Sequence, residues 1–325
     1  MRSLFVAFVI ASVVACGASG SSSDGGPGDD GSGSSHDSGP DAPPPVASGC
    51  VTDVTAGDHV YTCGGLSVDA RIPQQCLQPC CGLILVLHGD TGTGLLMDAH
   101  IKMRDIGGAA GYIVIAPTGP PYGGGQDGST WHASNDAALI SMVETFRDVF
   151  RVNDKKIHLT GFSRGGFVTW RLLCDHADLF ASVAPGGGGD GTDFGEVTCF
   201  KNGRTPSRKA PILFLMGRTD QSVGYDSLTE IRDEAIAFYG DTGPTTLTSD
   251  ANYRHDQWTG GGIIETFDHA YKTVANGPFG SAQGHCIPGS TTDPYAPQYA
   301  IPCALPDAFV WGDEVLKFFQ AHPKE

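Results

Sequence analysis

Basic residues are scarce in this chain: 20 Lys and Arg stand against 36 Asp and Glu, for a net charge of −16. With no Lys/Arg-rich run to offset it, an acidic body repels phosphate backbones and acidic membrane surfaces, so no nucleic-acid partner is expected. Long apolar runs are missing too. The one near the N-terminus, residues 4–14, is too short to span a bilayer. Cys76, Cys80 and Cys81 cluster, but no Cys/His pair elsewhere sits at zinc-ribbon spacing to match them. Adjacent cysteines also make poor joint ligands, so no metal is expected. There are no internal repeats.

What is present at the N-terminus reads as a targeting segment rather than structure. Arg2 supplies a short positive region, residues 4–14 the apolar stretch, and small residues lead to Cys16. Val13-Val14-Ala15-Cys16 resembles a bacterial lipobox, which makes residues 1–16 a signal peptide ending at a lipidated Cys16; the alternative is a secretory signal cleaved near Ala15 or Ala18. Gly17 rather than Asp after that cysteine resembles outer-membrane-sorted lipoproteins. Either way the chain is expected outside the cytoplasm, anchored or secreted, and membrane contact is expected only through a lipid on Cys16.

Residues 17–49 are mostly Gly, Ser, Asp and Pro, with five aspartates and no Lys or Arg. Such a stretch cannot bury enough surface to fold and reads as a flexible linker that ends in Pro43-Pro44-Pro45. The folded domain is expected over 50–325. Its cysteines suit an oxidising compartment, Cys174 and Cys199 form a plausible pair, and an odd count of nine beyond Cys16 predicts at least one thiol that is free or pairs outside the chain.

Within that domain, apolar runs at 82–87, 112–116, 156–160 and 211–216 read as strands buried on both faces, and 65–72 alternates. Helical patterns cover 99–110, a stretch from Ser134 or Asn135 to about 150, 167–174, 226–239 and a final segment from Asp307. Region 241–280 is mixed, with 263–267 strand-like. Strands alternating with helices predict an α/β fold: a mostly parallel sheet with helices on both faces.

Gly161-Phe162-Ser163-Arg164-Gly165 sits between a strand and a helix, the context of a nucleophile elbow. Asp220 follows another buried strand, and His285 lies further on in a Gly/Pro-bounded loop, in the order serine, acid, histidine. Ser163 is assigned as nucleophile, His285 as its base and Asp220 as the group that orients the imidazole. Asp226 is the alternative acid, and His269 and His255 are the alternative bases. An oxyanion needs two backbone donors; these are assigned to the amide of Arg164 and to that of Asp90 or Thr91, in the loop after His88-Gly89. His88 and Trp131 are assigned to the substrate side of the cleft. For Trp131 the alternative is an aromatic packing at the core edge, and for His88 a structural role in front of the oxyanion loop.

His88-Gly89-Asp90, Gly161-Phe162-Ser163-Arg164-Gly165-Gly166, residues 216–223 and Gly284-His285-Cys286-Ile287-Pro288-Gly289 together resemble the extracellular polyhydroxybutyrate depolymerase and feruloyl esterase group of α/β-hydrolases, which is carbohydrate-esterase-like. Asn135-Asp136 and residues 180–185 look similar as well. The resemblance spans about 72–319 and implies a serine esterase that needs no cofactor and acts on polyester or on feruloyl and other aryl esters. Family members often carry Thr-Trp after the histidine where this chain has Cys286-Ile287. In some relatives a cysteine before the serine bridges to one after the histidine; here Phe162 precedes Ser163, so Cys286 needs another partner, for which Cys303 is one candidate. A serine peptidase of the same fold, and a non-catalytic surface lipoprotein that uses the fold as a binding module, are the alternatives.

Overall fold

A computed structural model describes residues 43–123, 126–191, 199–273, 283–290, 302–303 and 308–325. The signal segment, Cys16 and most of the linker therefore lie outside the described residues. A compact unit extends over Pro44–Glu325, and Val51 is already fully buried in its core. Among the described residues no helix is long and apolar enough to cross a membrane.

In chain order the strands are β1 (Gly57–Cys63), β2 (Leu66–Ile72), β3 (Gly82–Leu87), β4 (Tyr112–Thr118), β5 (Pro121–Gly123), β6 (Gln126–Ser129), β7 (Ile157–Phe162), β8 (Ser182–Gly186), β9 (Ile212–Gly217), β10 (Thr242–Ser249), β11 (Tyr253–Thr259) and β12 (Ile263–His269). The helices are α1 (Gly94–Ile101), α2 (Met103–Ala109), α3 (Asp136–Phe150), α4 (Arg164–His176), α5 (Tyr225–Tyr239) and α6 (Trp311–Ala321). Ten strands form one sheet in the order β1-β2-β4-β3-β7-β8-β9-β12-β11-β10. From β4 to β12 neighbours run parallel, and the pairs at both flanks are antiparallel. Parallel strands need crossovers, and the intervening helices cover both faces.

The alternation of β3 shows how the layers are filled. Leu83, Leu85 and Leu87 pack with Val143 and Phe146 of α3, Leu172 of α4 and Ile231 of α5. Ile84 and Val86 point the other way, toward Met97 and Ile101 of α1, Met103 of α2 and Trp311 and Phe318 of α6. Every residue of β3, β7 and β9 is buried, so a run without polar alternation is what a sheet covered on both sides requires.

Several boundaries differ from the pattern read in the sequence. The helix expected at 99–110 is two helices, because Lys102 turns left-handed (φ 54°) between them. Asp98 stabilises the break by accepting from Arg104 N–H at 2.7 Å and Arg104 Nε at 2.9 Å. Strand β4 runs through Pro117, where it was expected to stop. Its pairing with β3 ends at Ile115, so Pro117 has only β2 beside it, an edge position where a missing N–H costs little. Helix α4 starts at Arg164, directly after the serine, and α6 starts at Trp311. The mixed region holds two strands more than expected, β10 and β11; β10 is exposed along its whole length and carries no apolar alternation to reveal it.

Disulfides join Cys50 to Cys63, Cys76 to Cys81, Cys174 to Cys199 and Cys286 to Cys303. Cys80 is not free either. The leftover thiol expected from the odd count is thus not found among the described residues.

Candidate active site

Strand β7 ends in the elbow. Ser163 adopts φ 56° and ψ −120°, a region that a side chain occupies only under constraint from its surroundings. The constraint is visible at the flanking glycines: a Cβ on Gly161 would lie 2.4 Å from the Gly165 carbonyl oxygen, and one on Gly165 would lie 2.3 Å from that of Leu87. Only glycine permits so tight a turn. Helix α4 begins at Arg164, so the Arg164 amide is in the first turn, where the helix dipole favours negative charge.

Asp220 lies in the turn after β9, two strands from β7. Its Oδ1 accepts from the amides of Ser222 (2.8 Å) and Val223 (2.9 Å), and its Oδ2 from His285 Nδ1 (2.7 Å). Burial works against the carboxylate, but the His285 ring, its hydrogen bond and the two amides outweigh burial and hold the pKa below its ordinary value. With Nδ1 donating to Asp220, Nε2 of His285 is the nitrogen left to accept a proton. The imidazole lies against the elbow, its centroid 4.9 Å from the Phe162 ring. Gly187, at the end of β8, lies beside both rings: a Cβ there would be 3.0 Å from Phe162 and 3.3 Å from His285 Cε1. Phe162, which stands where some relatives carry a half-cystine, thus buttresses the histidine by contact, while Cys286 is bonded to Cys303.

The rival residues are placed elsewhere. Asp226 is in the first turn of α5. His255 pairs with Glu265 at 2.8 Å and stacks on Phe267. His269, at the end of β12, is buried, and burial pushes its pKa down to about 3. Its ring nitrogen and the sulfurs of Cys286 and Cys303 lie within 4.8 Å of one another. Those sulfurs are bonded to each other, so they offer no thiolate to a metal.

On the other side of Ser163 runs the loop after β3. A Cβ on Gly89 would be 3.1 Å from Ser163 Cβ and 3.6 Å from its Oγ, so this backbone lies directly against the nucleophile. Of the two amides assigned here as oxyanion donors, that of Thr91 is spent on the Ser129 carbonyl at 2.8 Å. No acceptor among the described residues takes the Asp90 amide. Asp90 is therefore the candidate, and Thr91 is corrected to a structural anchor.

Trp131 and His88 also need correction. Trp131 is fully buried and His88 is 1% exposed, so neither presents a surface to a substrate. Trp131 Nε1 donates to the His88 carbonyl at 2.9 Å, and their rings, tilted to one another, have centroids 4.8 Å apart. His88 Nε2 accepts from the Gly119 amide at 3.0 Å, which puts the proton on Nδ1, where it is donated to the Gly89 carbonyl at 2.6 Å. Burial, opposed by that bond and by Asp90, brings the His88 pKa down to about 4, so the ring is neutral and serves as a strut. Residues 129–131 thus clasp the loop: Ser129 holds Thr91, the Thr130 hydroxyl donates to Asp90 Oδ1, and Trp131 holds His88. Neither Ser129 nor Thr130 stands out in the sequence, because nothing in the spacing ties them to a loop some forty residues earlier.

No family model matches the chain. A bifunctional acetylxylan esterase/xylanase of Neocallimastix patriciarum is 24% identical over 155 residues, which cover 47% of this chain and 21% of that protein. Acetylxylan esterase A of Aspergillus ficuum is 27% identical over 107 residues, 31% of this chain and 35% of that protein. The chain thus spans about a fifth to a third of the length of these curated relatives. Among solved structures, an acetyl xylan esterase from Aspergillus awamori superposes with a TM-score of 0.52 at 17% identity and covers 66% of this chain and 94% of that one. The chain has the α/β-hydrolase fold, and its likeness is to the carbohydrate-esterase-like group of that fold.

Proposed function

We propose that the chain is an exported serine esterase that hydrolyses carboxylic esters through an acyl-serine intermediate. The observation that carries this reading is the strained elbow serine, next in the chain to Phe162, whose ring packs on a buried histidine with its Nδ1 tied to a carboxylate held ionised. Ser163 Oγ attacks the ester carbonyl carbon while its proton passes to His285 Nε2. The tetrahedral oxyanion is met by the amides of Arg164 and Asp90, each worth about 3 kcal/mol. Collapse expels the alcohol, which takes the proton from His285. Water then attacks the acyl-serine, His285 removes its proton, and the carboxylic acid leaves with Ser163 restored. Asp220 stays ionised throughout and stabilises the imidazolium.

For the substrate, the relatives favour an acyl ester on a polysaccharide, and the motif resemblance favours polyester or feruloyl and other aryl esters. The four disulfides among the described residues support export, and anchoring would follow from a lipid on Cys16. The test is hydrolysis of a matched panel by wild type and Ser163→Ala: p-nitrophenyl acyl esters, methyl ferulate, acetylated xylan and hydroxybutyrate oligomers. Turnover that disappears in the variant supports the reading, and the preferred member names the substrate class. Turnover equal in both proteins, or absent in both, returns the binding-module reading.

A further inference from the structure

The two amides proposed to meet the oxyanion belong to Asp90 and Arg164, residues on different segments, and the side chains of the same two residues are bonded to each other. Arg164 Nε lies 3.2 Å from Asp90 Oδ1 and 3.3 Å from Oδ2. Asp90 Oδ1 also accepts the Thr130 hydroxyl. Thr130 is itself fixed, since its amide donates to the Pro120 carbonyl at 3.0 Å and it is 3% exposed.

We infer that the Asp90–Arg164 ion pair, seated on Thr130, is a positioning device that sets the spacing of the oxyanion hole. This rests on the esterase reading. Catalysis needs both donors aimed at one point within a fraction of an ångström, yet one comes from a loop containing Gly89 and Gly92. Ser129 and Trp131 hold that loop at Thr91 and His88, on either side of Asp90, but neither bond ties it to α4. The ion pair is a direct tie between the loop and the helix that carries the second donor. Both partners are largely shielded, with side-chain exposures of 15% for Arg164 and 20% for Asp90, so solvent competes weakly for the pair. The guanidinium has a second task. An uncompensated carboxylate next to a developing oxyanion would oppose the reaction, and Arg164 neutralises it.

This gives an asymmetry that packing alone would not. Arg164→Met loses the tie and exposes the Asp90 charge to the oxyanion, and is expected to lower kcat on p-nitrophenyl acetate by about 10- to 100-fold with KM within about twofold. Asp90→Asn keeps an acceptor for Thr130 and removes the charge, so its loss is smaller. The double variant Asp90→Asn/Arg164→Met is expected to be faster than Arg164→Met alone, and Arg164→Lys to recover part of kcat. Amide hydrogen exchange over residues 88–92 gives a readout that needs no turnover and should rise in Arg164→Met while the strands keep their protection. Wild-type turnover with kcat unchanged in Arg164→Met, a double variant no faster than the single, or unchanged exchange at 88–92 would overturn the positioning role alone. Absence of Ser163-dependent turnover in the wild type would overturn the esterase reading and this role together.

Discussion

The two sides of the candidate site are built on different principles. On the side that carries Ser163, Asp220 and His285, the serine and the aspartate stand in short turns at the carboxyl edge of the parallel strands β7 and β9, and His285 is hydrogen-bonded to Asp220. On the side proposed to meet the oxyanion, the loop after β3 contains Gly89 and Gly92 and is held by the side chains and carbonyls of residues 129–131 and by Arg164. In the proposed reaction, chemistry is specified by strand-end turns and transition-state complementarity by tertiary contact. Substitutions on the first side should therefore abolish the reaction, and those on the second should detune it.

The largest effects fall on the first side. Ser163→Ala is expected to lower kcat/KM by about 10⁴-fold or more, and Asp220→Asn, which leaves the imidazole tautomer undirected, by about 10³- to 10⁴-fold, as read by steady-state hydrolysis of p-nitrophenyl acetate. Next comes Cys286→Ser/Cys303→Ser. This bridge closes a 17-residue span beside His285, and its loss should cost about 2–4 kcal/mol in denaturant unfolding. On the second side, Trp131→Phe keeps the ring but removes the donor to the His88 carbonyl. It should cost about 1 kcal/mol and lower kcat only a few-fold. Equal losses on both sides would break the comparison.

Acid should loosen the fold by a route shared by both sides. Burial lowers the pKa of His88 to about 4 and of His158 and His269 to about 3, against 6.5 when unfolded. Because these folded values are depressed, the unfolded chain binds more protons between them and 6.5. Stability is then full above pH 6.5 and declines as pH falls toward 4 and 3. The Asp220 carboxylate, also depressed, adds stability that is present above its ordinary value of 3.8 and is lost as pH falls through its lowered one. Thermal unfolding as a function of pH should show the decline, and His158→Gln, which does not titrate, should make it shallower.

Much of this architecture was legible because its signals are local. Continuous apolar runs marked β3, β4, β7 and β9, and the chain order singled out an acid and a histidine, Asp220 and His285, that are hydrogen-bonded to each other. The clasp was not legible. Trp131 was assigned to the cleft because an aromatic after a Gly-rich loop fits a substrate platform, whereas the indole N–H found a buried carbonyl at His88 instead. Thr91 was an open candidate as a donor until Ser129 proved to hold its amide. Strands β10 and β11 escaped notice because an exposed flank needs no apolar face, and the break at Lys102 depends on Asp98 reaching over to Arg104.

The central claim is that Ser163 is a nucleophile activated by His285. Its most direct test is covalent labelling of the purified protein with a fluorophosphonate, with the adduct mapped by peptide mass spectrometry in wild type and in His285→Ala. The account predicts one adduct, on Ser163, formed at a rate that collapses in the His285 variant. A well-folded wild type that takes no label, labels elsewhere, or labels at the same rate without His285 would contradict it.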